Sequence, residues 1–203
     1  MRNQFKYRFS IRHLYDATVR GIRAFPTVIF NRIKKRVSPD LIERLMLVTT
    51  EVNGCDLCSY AHTRIALKEG FSKEEIESLL SGSSAYVHEN DATAIFFAQH
   101  YAESKGRPEK DAYNRLAEIY GKREAYAMIS AIQVMMMANI QGVFFSALLS
   151  RLKKNPYQDS SLIFEIVMLL LEIILFPITL VDAFFRFLFR IPNVRFEKTP
   201  NNA

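Results

Sequence analysis

The stretch Glu51-Val52-Asn53-Gly54-Cys55-Asp56-Leu57-Cys58-Ser59-Tyr60-Ala61-His62 holds both cysteines of this 203-residue chain. Asn53-Gly54 reads as a helix stop, because glycine tolerates the left-handed backbone that closes a helix. Cys55 then opens a new helix, with Cys58 three positions on in its first turn. At that spacing the two β-carbons lie about 5–6 Å apart. A slight adjustment brings them to the roughly 3.5–4.5 Å that a disulfide requires. Such a bond could open and close without the rest of the fold moving.

The same position tunes reactivity. Unpaired N–H groups at a helix N-terminus favour thiolate over thiol. His62 follows Cys58 by four residues and so lies one turn along the same face. It can take the Cys58 proton, directly or through a water, or stay charged and hold the thiolate as an ion pair. Asp56 works the other way, since a carboxylate beside a thiol favours the protonated form. Two other readings stand beside this one. The cysteines could be inert core residues on an apolar helix face. They could also join His62 and a fourth ligand, Glu43 or another histidine, in a closed zinc site. No second Cys/His cluster follows in the chain, so no metal or other cofactor is expected.

Working outward, the punctuation of the chain predicts an all-α protein. Sixteen Phe and nine Tyr supply packing bulk, while seven Gly and seven Pro leave few turns and favour long elements. Ser38-Pro39 reads as an N-cap with proline in the first turn. The helix it opens carries Leu41, Leu45, Met46, Val48 and Val52 and ends at Asn53-Gly54. The helix begun near Cys55 runs to Lys68 and stops at Gly70. Ser72 with Glu75 predicts a capping box on a short third helix. Further helices are expected at about 89–104, 108–120 and 122–152, separated by Arg107-Pro108 and Gly121, with Asn155-Pro156 closing the last.

Within this frame, the order Glu43, Cys55 twelve residues on, Cys58, then His62 resembles the signature of alkylhydroperoxidase D-like proteins in the carboxymuconolactone decarboxylase superfamily. The resemblance covers roughly residues 38–152. It extends to Asp91-Ala-Thr-Ala-Ile-Phe-Phe-Ala-Gln-His-Tyr-Ala, which is similar to the family's next helix, and to the long helix through Asn139. It implies an alkylhydroperoxidase D-like helical bundle that assembles into trimers or hexamers. It also implies roles. Cys58 would attack a peroxide, Cys55 would resolve the sulfenic acid to a disulfide, and His62 with Glu43 would relay the proton. A thiol donor, such as a dihydrolipoyl group on a partner protein, would reduce the pair. One departure stands out: well-known members carry histidine immediately before the second cysteine, where this chain has Leu57.

Three regions are expected: a basic N-terminal arm (1–37), the alkylhydroperoxidase D-like core (38–154) and an apolar helical extension (155–203). The formal charge is +6, yet residues 1–36 alone carry ten Lys or Arg against Asp16, a net of +9. Such an arm suits anionic lipid, nucleic acid or an acidic protein surface, or forms a solvated helix face. No nucleic-acid-reading motif accompanies it, so no nucleic acid is expected as partner.

Two apolar stretches raise the membrane question. Between Glu124 and Arg151 no residue is charged, but Ser130, Gln133, Asn139, Gln141, Gly142 and Ser146 interrupt the run. A buried core or interface helix is the reading there. In Leu162–Phe189, Glu165, Glu172, Thr179 and Arg186 recur every seven residues and form one narrow stripe on an otherwise apolar helix. Pro177 would kink or break that helix. Its apolar surface must be covered by the domain body, another subunit or a membrane surface. The first 25 residues lack the uninterrupted apolar core of a signal peptide. A cytoplasmic, reducing setting is therefore expected, with membrane association left open.

The function these readings favour is a thiol-dependent peroxidase or disulfide oxidoreductase, with a peroxide as substrate. Two alternatives are a carboxymuconolactone decarboxylase-like lyase, whose chemistry needs no cysteine pair, and a non-enzymatic redox sensor or scaffold at a membrane surface.

Overall fold

The computed structural model describes residues 4–197. Arg2 of the basic arm and the last six residues of the apolar extension lie outside the described residues. Eight helices and no strand are formed among the described residues: α1 (Ile11–Lys34), α2 (Pro39–Asn53), α3 (Asp56–Glu69), α4 (Lys73–Ser81), α5 (Glu89–Glu103), α6 (Lys110–Tyr120), α7 (Lys122–Leu152) and α8 (Leu162–Leu188). The expected all-α fold is what the chain adopts.

The helix ends are set by the residues that mark them in the sequence. Ser38 accepts the Leu41 N–H with Pro39 in the first turn, an arrangement that satisfies an otherwise orphaned donor and contributes about 1 kcal/mol. Gly54, Gly70 and Gly82 close α2, α3 and α4 in the left-handed conformation. The expected capping box at Ser72 forms only in its first half. The Ser72 hydroxyl accepts the Glu75 N–H, but the Glu75 carboxylate turns to Arg44, which donates to it at 2.9 Å. An ion pair in a half-buried site outcompetes one more cap bond.

Helix α7 is the centre of the molecule. It packs against α1, α2, α3, α5, α6 and α8, and Ile129, Ile132, Ile140 and Phe144 along it are fully buried. This accounts for the charge-free run: most of its polar residues are buried as well, and several find partners inside the protein. Gln133 donates to Tyr101 at 2.9 Å, and Ser146 donates to the Gly142 carbonyl at 2.7 Å.

The basic N-terminal segment is not only a solvated face. In α1, Leu14, Ala17, Val19, Gly21 and Ala24 are buried and the helix lies on α7. The two helices approach closely at Gly21, where a Cβ would stand 2.6 Å from the Met137 Cβ. Arg20, also buried, donates to the Gly106 carbonyl.

Helix α8 runs unbroken through Pro177. Its polar stripe turns inward onto the domain body. Glu165 is fully buried and bonded twice by Arg151, at 2.8 and 2.9 Å. Thr179 is also buried, and Arg186 pairs with Asp182 at 2.9 Å. Asp182 in turn accepts from Tyr15 of α1 at 2.7 Å.

Candidate active site

The chain turns sharply at Gly54 (φ +73°) between two antiparallel helices, and this places Cys55 at the N-cap of α3. The Cys55 sulfur accepts the backbone N–H of Cys58 at 3.2 Å, so it sits in the field of the helix N-terminus. The two sulfurs are bonded to each other, with the α-carbons 5.2 Å apart. Cys55 is fully enclosed, whereas Cys58 keeps 8% of its surface exposed. Of the two residues, Cys58 is the less enclosed.

Helix α7 forms the floor under the pair. Gly142 passes so close that a Cβ there would lie 2.6 Å from the Cys55 sulfur and 2.9 Å from that of Cys58. The Ala138 carbonyl, one turn earlier, is 3.7 Å from the Cys58 sulfur, where a reduced thiol would donate to it. Sequence reasoning missed Gly142 as a site residue and saw it only as an interruption of an apolar run. The available signal was energetic: a glycine inside a long helix costs about 1 kcal/mol, so something must require it.

Glu43 and His62 meet as the motif spacing requires. Glu43 lies on α2, which folds back along α3, and its Oε1 shares a hydrogen bond of 2.7 Å with His62 Nδ1. The Glu43 side chain is 7% exposed and that of His62 16%, so solvent screens this contact little. Fixing Nδ1 leaves Nε2 as the nitrogen available to a reacting group. His62 stands one turn beyond Cys58 on α3.

Two clefts flank the site. One, of about 340 Å³, is lined by Ile42, Glu43, Met46, His62, Arg32 and Glu69 among others. Burial and the nearby Glu43 carboxylate push the Glu69 carboxyl above its ordinary pKa. The other, of about 470 Å³, is bordered by Asp56, Leu57, Tyr60, Ser146 and Lys153. Leu57, the position where histidine was noted as missing, lines this second cleft. Its backbone N–H donates to Ser146 at 3.2 Å, so the strand of chain between the cysteines is tied to α7. Tyr157 donates to Asp56 at 3.2 Å, which orients that carboxylate in the first turn of α3.

Among the described residues no group of three His, Cys, Asp or Glu side chains is placed to hold a metal ion. Glu43 and His62 engage each other and the two sulfurs engage each other.

The model of the Carboxymuconolactone decarboxylase family matches residues 17–99, from α1 to within α5, and the matched segment includes Glu43, Cys55, Cys58 and His62. The match starts earlier than the resemblance read from the motif and also ends earlier, so α1 falls partly inside it and α7 outside. No curated protein and no solved structure gives a significant match.

Proposed function

From the family match over residues 17–99 and the surroundings of Cys58, we propose that this chain is a thiol-dependent peroxidase of the alkylhydroperoxidase D-like kind. The observation that carries this reading is the Glu43–His62 hydrogen bond, set one helical turn from the less enclosed residue of a bonded cysteine pair. An isolated structural disulfide needs no such dyad.

In the reduced protein, His62 takes the Cys58 proton through Nε2, and Glu43 stabilises the imidazolium through Nδ1. The Cys58 thiolate attacks the terminal oxygen of a hydroperoxide. The S–O bond forms as the O–O bond breaks, and the departing alkoxide takes the proton from His62, giving an alcohol and a Cys58 sulfenic acid. The Cys55 thiol then attacks the Cys58 sulfur. Water leaves, and the Cys55–Cys58 disulfide of this structure results. A dithiol donor, such as a dihydrolipoyl group on a partner protein, restores both thiols by exchange and is itself oxidised to a disulfide.

Peroxide-dependent oxidation of a dithiol, followed by coupled assay, tests the proposal. Cys58→Ser is expected to abolish turnover. Cys55→Ser should leave an oxidised Cys58 or a mixed disulfide that mass spectrometry detects. Full activity in both single variants would overturn the reading. The family name favours one second reading, a decarboxylase-like lyase. Decarboxylation that survives in a Cys55→Ser/Cys58→Ser double variant would support it.

A further inference from the structure

Helix α8 carries few polar side chains, and none of them is fully exposed. Its acidic and polar residues, Glu165, Glu172, Thr179, Asp182 and Arg186, are all turned at least partly inward. Every exposed residue from Leu162 to Leu188 is apolar, among them Ile163, Ile173, Leu180, Phe184 and Phe187. At about 1.5 Å per residue the helix presents this face over roughly 40 Å. Soluble proteins rarely leave an apolar patch of that extent to water.

The neighbouring surface is basic. Arg23 on α1 donates to the Arg186 carbonyl at 3.5 Å and also to that of Ile191, which brings the second half of α1 to the C-terminal end of α8. From Phe25 to Arg36 every exposed side chain is apolar or cationic: Phe25, Pro26, Ile29, Phe30 and Ile33 alternate with Arg32, Lys34, Lys35 and Arg36. Arg190 is exposed where α8 ends. Greasy residues framed by exposed cations are the composition of a surface that lies on anionic lipid.

We propose that α8, with the second half of α1, docks this protein on an anionic phospholipid bilayer, with α8 lying along the surface and its apolar face in the headgroup–acyl boundary. A second protein is a poorer cover. Protein interfaces carry about one hydrogen bond per 100–200 Å², and the fully exposed side chains of α8 offer no donor or acceptor. A membrane-crossing orientation is poorer as well. The inner face of α8 holds Asp182 and Arg186 and is packed on α1, whose Arg12, Asp16, Arg20 and Arg23 would be carried to bilayer depth at several kcal/mol each.

Flotation of the full chain with vesicles tests this, using phosphatidylcholine alone and a 3:1 mixture with phosphatidylglycerol. The protein should float with the mixed vesicles, less with the neutral ones, and release as salt is raised. An Ile166→Glu/Ile173→Glu/Leu180→Glu variant should lower the floated fraction at least tenfold. These side chains are exposed, so the fold should persist, and far-UV circular dichroism checks that it does. Lys34→Glu/Arg36→Glu, which leaves α8 intact, should remove the preference for anionic vesicles. Failure of the native chain to float, or equal flotation of both variants, overturns the proposal. So does dissociation of a lipid-free oligomer by the α8 variant, which would assign the face to a second copy. Resistance of the bound protein to alkaline carbonate extraction would overturn the in-plane orientation.

Discussion

His62 is held at Nδ1 by a buried carboxylate, which leaves Nε2 as the nitrogen open to a reacting group. Replacing it by Ala should lower the rate of peroxide consumption by about 10²–10⁴-fold, while a strong chemical oxidant still closes the Cys55–Cys58 disulfide. Stopped-flow peroxide decay and thiol counting separate the two effects. Glu43→Gln keeps the shape and removes the charge that steadies an imidazolium, so it should cost less than the His62 change. The nearness of Glu43 to His62 and of Cys55 to Cys58 was legible in the spacing, because three of these residues lie on or at the start of one helix and the fourth on the helix just before it. Gly142 was not legible in the same way. Its contact with the sulfurs joins positions more than eighty residues apart, and only the packing of α7 reveals it. A Gly142→Ala methyl would meet the Cys55 sulfur at 2.6 Å. The change should cost about 1–3 kcal/mol by overpacking and alter the dithiol–disulfide equilibrium, which titration against a dithiol buffer reads out.

At the scale of elements, helix starts and stops were readable because each rests on local chemistry: Ser38-Pro39, Gly54, Gly70 and Ser72 act within four residues of themselves. The burial of α1 was not, since its basic composition hides a narrow buried stripe that needs α7 opposite it. Gly21→Ala should therefore destabilise the protein by about 1–3 kcal/mol, seen as a lower urea midpoint with the site chemistry unchanged. In α8, Glu172 has a buried carboxyl oxygen with no hydrogen-bond partner, and burial raises its pKa from the ordinary 4.5 to about 8. A carboxyl that titrates higher in the folded state opposes folding once ionised. Stability in solution should thus decline as pH rises through the window from 4.5 towards 8. Glu172→Gln removes that dependence, so its melting temperature should exceed the native one by more at pH 8.5 than at pH 5. A gain independent of pH would show that Glu172 already carries a partner.

For the whole molecule, the arrangement joins two surfaces that the sequence showed separately. The cysteine pair with Glu43 and His62 sits where α2, α3 and α7 meet, and the apolar, cation-framed surface is built from α1 and α8. The heptad spacing of Glu165, Glu172, Thr179 and Arg186 made the inward stripe legible, but what covers the other side of α8 depends on a partner that no spacing encodes. The two proposals are independent in practice. Charge reversal at Lys34 and Arg36 should change vesicle binding and leave peroxide turnover in free solution as it was.

The central claim is that Cys55 and Cys58 cycle between thiols and a disulfide. Free-thiol counting by mass spectrometry on the fully reduced protein, before and after one equivalent of hydrogen peroxide, tests it most directly. The account predicts that both thiols disappear together, with a loss of two hydrogens in mass and full recovery on adding a dithiol. Two thiols that survive the peroxide unchanged would contradict it.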